Sequence, residues 1–286
     1  MFWESKHKES SPAPEQRPQL ELSGPKLDTA FSSLIAACDG AGGVEKYVEA
    51  LKFRADLFQD AFEKKENTDL TPDQFTTLCA FMPTVRRRIG PYVEDDQYGA
   101  LRTAMAGLFA DDAPAEIVET FCKAFPEDKR HRWVRDLAAE ILHNCLPEKY
   151  PLMCRWVWDA KANTGVVREI WHGDIDHITL EIGDGYETCL MLREELSQYI
   201  SDAGIFRDVM WYGDLLSAQI YSEYISAHGG SYLRADFSSA DDPAIHLRRL
   251  LGLDGVRAKT NRVIPPIIEG AAHRIDPKTL LSGENH

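Results

Sequence analysis

The chain has 286 residues, a net charge of −14 and 44% apolar residues. This is the composition of a globular protein, and it excludes a collagen-like, mucin-like or wholly disordered chain. The negative charge opposes non-specific binding to nucleic acid or to an anionic membrane face.

Residues 1–26 hold Pro12, Pro14, Pro18 and Pro25 with little apolar content, and are expected to form a disordered tail. Met1–Ser10 has no apolar run suited to a signal peptide. The pattern then turns helical. Val44, Tyr47, Val48, Leu51, Leu57, Phe58 and Phe62 recur close to helical spacing. Thr71-Pro72-Asp73-Gln74 is a helix start, with threonine as N-cap, proline at the first position and glutamine at the third. Asp112–Phe125 and Asp128–Leu146 read as two further helices, and Pro151 as the start of another through Trp156 and Trp158. Asn163-Thr164-Gly165 breaks it before a short helical turn to Trp171.

Residues 177–182 alternate as a strand does, and Gly183-Asp184-Gly185 is a turn sequence. Tyr186–Leu192 then fits either the return strand of a small β-hairpin or the start of a helix to Ile200. Ile205–His228 and Asp242–Leu253 are the last two helices. The fold class is mainly α: a single multi-helix domain over residues 27–255, with one small β-hairpin near 177–192 as an option. Residues 256–286 are expected to form an irregular C-terminal tail. No stretch approaches the roughly 18–20 apolar residues of a membrane helix. Six widely spaced cysteines, with no CxxC pair, read as buried thiols of a cytoplasmic protein.

Charge is unevenly distributed. Between Glu169 and Glu195 stand eight acids and one base, Arg193, which is half of the net charge. Within this stretch, His172, Asp174, Asp176 and His177 offer two imidazoles and two carboxylates, the ligand types of a divalent metal site. The bland alternative is a solvated loop. Glu140 and His143 have the spacing that puts both on one helical face. The apolar residues Trp133, Val134, Leu137, Ala138, Ile141 and Leu142 fill the opposite half, so the pair is expected on a salt-bridged outer face.

The helix 205–228 is apolar nearly all round, and Asp214, Ser217, Tyr221 and His228 form one polar stripe along it. Arg86, Arg87 and Arg88 form one basic cluster, and Arg132 and Arg135, with Lys129 and Arg130, a second. If both faced one cleft they could bind an anion. Trp133, Trp156, Trp158 and Trp171 are expected to mark the core. There is no GxSxG, Walker, GxGxxG or HExxH motif.

Two functions follow. The first is a cytoplasmic adaptor, regulatory or assembly protein that binds a protein partner through its acidic segment, with a homo-oligomer left open. The second is a metal-dependent hydrolase or oxidoreductase using the cluster at 172–177.

Overall fold

Helix α1 (Gly24–Asp39) opens on Pro25 and buries Leu27, Ala30, Leu34 and Cys38. Helix α2 (Val44–Ala61) buries the apolar stripe expected from its sequence, and one charged residue, Arg54, lies inside with it. The computed structural model describes residues 20–40, 42–62, 70–110, 113–175, 177–228 and 244–253. Most of the two expected tails therefore lies outside the described residues. The packed chain begins before residue 27, however. Leu20 is buried, the Ser23 N–H donates to the Ile170 carbonyl at 2.8 Å, and the His172 N–H donates to the Glu21 carbonyl at 2.7 Å.

Helix α3 (Pro72–Cys79) starts with the full capping box: the Thr71 hydroxyl accepts from the Gln74 N–H, and the Gln74 side chain accepts from the Thr71 N–H. A 3-10 turn (Gly90–Tyr92), α4 (Asp95–Gly107) and α5 (Pro114–Lys123) follow. Then come α6 (Trp133–Cys145), the single turn α7 (Val166–Glu169), α8 (Tyr186–Asp202), α9 (Val209–His228) and α10 (Ile245–Leu250). The molecule is mainly helical. Among the described residues there is no sheet, only two isolated bridges, Leu22–Trp171 and Asp159–Thr164.

The optional hairpin does not form, because residues 186–192 open α8. Thr188, Cys189, Met191, Leu192, Leu196 and Ile200 are all buried. That spacing continues past any hairpin arm, and the longer apolar face decides the outcome. The helix expected from Pro151 is also absent; residues 151–164 run through turns. Here tertiary partners replace helical ones. The Asp136 carboxylate accepts from the Arg155 N–H at 2.9 Å, and Gly165, at φ 130°, lies so close to Val157 that a Cβ would sit 2.6 Å from its carbonyl oxygen.

The central element is α6. It packs against α2 and α5, and every residue from Trp133 to Asn144 except Arg135 is buried. Helix α9 packs against α1, α2, α7, α8 and α10. Trp133, Trp156 and Trp158 are buried and Trp171 is half-buried, as core tryptophans should be. No helix among the described residues is long and apolar enough to cross a membrane.

Candidate functional site

Three polar regions emerge, one buried and two open to solvent. The buried one corrects the expected outer face of α6. Glu140 and His143 are 2% and 0% exposed, because α6 is covered on both sides. They do not point at a common centre. The His143 ring faces two acceptors, with Nδ1 at 2.9 Å from the Tyr150 carbonyl and Nε2 at 2.8 Å from Asp214 Oδ2. Only the doubly protonated imidazolium donates to both. Burial works against that charge, yet the Asp214 carboxylate and the Tyr150 carbonyl hold the His143 pKa above its ordinary value.

Glu140 takes the other side. Its Oε2 is 3.6 Å from Arg54 Nη1 and 3.4 Å from Asn144 Nδ2. Desolvation raises its pKa, and the Arg54 charge opposes the shift. Arg54 also donates to the Leu251 carbonyl, while its Nε and Nη2 have no hydrogen-bond partner among the described residues. Thus α6 ties α2, α9 and the segment after α10 together through buried charge.

The stripe on α9 divides in the same way. Asp214 and Ser217 are buried. Tyr221 lies with its ring centroid 5.9 Å from that of Trp156 and 5.6 Å from that of Tyr224. His228 is exposed and stacks on Tyr224 at 5.0 Å. These four residues do not share one site.

The first open region is a cleft of about 890 Å³ beside the start of α6. Arg132, Arg135, Arg155, Lys129 and Lys161 line it, with Asp128, Asp159 and Asp184. Arg86, Arg87 and Arg88 do not, so the two basic clusters are not brought to one cleft. The arginines are committed internally: Arg132 to Asp159, Arg135 to Asp184, and Arg155 to Asp136 at 2.8 Å. They pin the turns of 153–160 and the loop at 184 onto α6. At the wall of the cleft, Asp128 Oδ1 lies 2.9 Å from His131 Nδ1, and His131 Nε2 lies 2.6 Å from the Tyr92 hydroxyl. Asp128 and His131 are three residues apart, a spacing readable in the sequence; Tyr92 is brought in only by the fold.

The second open region is the acidic stretch. Asp174, Glu181, Glu187, Glu194 and Glu195 are exposed, and Glu169 and Asp184 are half-buried. Arg193, the only base, turns away and donates to the carbonyls of Pro147 at 3.0 Å and Glu148 at 3.1 Å. His172, Asp174 and His177 are exposed, and Asp176 lies outside the described residues. Among the described residues, no three His, Cys, Asp or Glu side chains form a group able to hold a metal. Ile178, 53% exposed, stands beside this cluster.

Comparison of the chain with protein-family models, with curated proteins and with solved structures finds no match.

Proposed function

We propose that the chain is a non-catalytic cytoplasmic adaptor, regulatory or assembly protein that binds a basic segment of a partner protein through residues 169–195. The supporting observation is the exposure of five acids in this stretch while its one base is bonded to backbone carbonyls. A surface of one sign attracts and orients an oppositely charged partner. The metal-dependent alternative at His172, Asp174, Asp176 and His177 has no such support, because the described members of that cluster are exposed and do not converge with further ligands.

The test is titration with a lysine-rich peptide at low ionic strength. A triple variant, Glu181→Gln, Glu187→Gln and Glu195→Gln, is compared with an equally neutralised control on exposed acids outside this stretch, Glu45→Gln, Glu49→Gln and Asp60→Asn of α2. The first should bind about five- to tenfold more weakly, and the gap should close as salt is raised. Equal affinity in the two variants overturns the reading.

A further inference from the structure

The strand pattern of residues 177–182 runs into the turn sequence at Gly183, and residues 178–183 have no strand beside them among the described residues. Their hydrogen bonds alternate. The Asn163 carboxamide bonds twice along the segment: its Nδ2 donates to the Ile178 carbonyl at 3.0 Å, and its Oδ1 accepts from the Leu180 N–H at 3.1 Å. A neighbouring strand would present the same donor and acceptor through a peptide group. Arg168 Nη1 also donates to the Ile178 carbonyl at 2.8 Å, and Trp158 Nε1 donates to the Ile182 carbonyl at 3.2 Å. Positions 178, 180 and 182 thus spend backbone groups on the protein's own side chains. The backbone groups of Thr179 and Glu181 make no hydrogen bond to another described residue, and both residues are exposed. In an extended chain successive residues direct their backbone groups to opposite edges. Among the described residues, one edge is therefore occupied and the other is open.

We propose that this open edge of residues 178–183 is a β-addition site, and that its occupant is an extended segment of a partner protein with alternating basic and apolar residues. Main-chain pairing would supply affinity, and the side-chain pattern specificity. Charge complementarity selects the occupant. Glu181 and Thr179 share one face of the segment, so a lysine or arginine opposite Glu181 pairs across the strands. Ile178, 53% exposed, lies on the other face and meets an apolar residue. Glu187 is exposed just beyond the segment and extends the negative field. The site rests on the acidic docking reading above and adds to it the mode of binding.

The test uses the full chain and a heptapeptide of alternating lysine and valine, with amide hydrogen exchange read by NMR. The expected result is binding that slows exchange at Thr179 and Glu181. Thr179→Pro removes an N–H from the open edge and should weaken binding about tenfold, as the loss of one or two hydrogen bonds implies. Thr179→Ala keeps that N–H and should bind as the unmodified chain does. Unchanged circular dichroism of Thr179→Pro establishes that it is folded. Binding that leaves both amides unprotected and ignores Thr179→Pro overturns the β-edge while the acidic docking surface stands. Protection of the amides that survives Glu181→Gln/Glu187→Gln/Glu195→Gln at unchanged affinity upholds the edge but overturns its basic occupant together with the acidic reading. No binding at all overturns both.

Discussion

At the residue scale, the arrangement that most departs from surface chemistry is His143 with Asp214. Both ring nitrogens face acceptors, so the folded state favours the charged imidazole. Its pKa is raised in the folded protein, against the pull of burial. A raised histidine contributes stability that is fully present below its unfolded pKa, about 6.5, and is lost as pH rises through the folded value. Asp214→Asn should therefore cost about 3 kcal/mol near pH 5.5, the loss expected on breaking a buried pair, and distinctly less near pH 9. Urea unfolding at the two pH values measures this. A cost that does not fall as pH rises would show that the pair is not an ion pair. Arg54 and Glu140 present the same physics with poorer geometry, at 3.6 Å and with two guanidinium nitrogens unpartnered among the described residues.

At the element scale, the segment between α6 and α8 is the part whose form depends least on local preference. Residues 151–164 contain Pro151 and a tryptophan-rich run that resemble a helix start, yet their backbone is held by Asp136, the Asp159–Thr164 bridge and a close approach at Gly165. At φ 130° only glycine sits without strain, and a Cβ there would meet the Val157 carbonyl oxygen at 2.6 Å. Gly165→Ala should destabilise the fold by about 3 kcal/mol, from backbone strain and the displaced Val157 together. Thermal unfolding checks this, and a variant within about 0.5 kcal/mol of the unmodified chain, the range of a neutral surface change, would remove the packing argument. The chain between α6 and α8 also supplies Asn163, Trp158 and Arg168, whose side chains bond to backbone groups at positions 178, 180 and 182. Thus the open edge is a product of the turns before it.

At the scale of the whole molecule, the six cysteines report on packing. Cys38, Cys79, Cys154 and Cys189 are buried, while Cys122 and Cys145 are half-buried; none is in a disulfide. Burial pushes the thiol of Cys122 up to about 11 and that of Cys189 up to about 12. At pH 8 a thiol reagent should modify at most Cys122 and Cys145 within minutes, and all six after unfolding in guanidinium. Rapid modification of Cys79 or Cys154 in the folded chain, read by peptide mass analysis, would contradict the core as described. Charge is also a property of this scale. Half of the net −14 falls in residues 169–195, where five acids are exposed, whereas the arginines at the start of α6 are neutralised within the molecule.

The sequence by itself determined α2, where apolar spacing repeats over several turns, α9, a long run that is apolar nearly all round, and the start of α3, where the capping chemistry of Thr71 and Gln74 is local. It also determined where the acids cluster, since that is composition. Only the tertiary structure decided the burial of Glu140 and His143. A helical wheel shows a polar half but not whether a second layer covers it, and here α2, α9 and the turns after α6 do so. It likewise decided that residues 178–183 lie along side chains and, among the described residues, not beside a second strand. Strand pairing is a non-local event, and the residues expected to return as the partner had a longer apolar face to bury as α8.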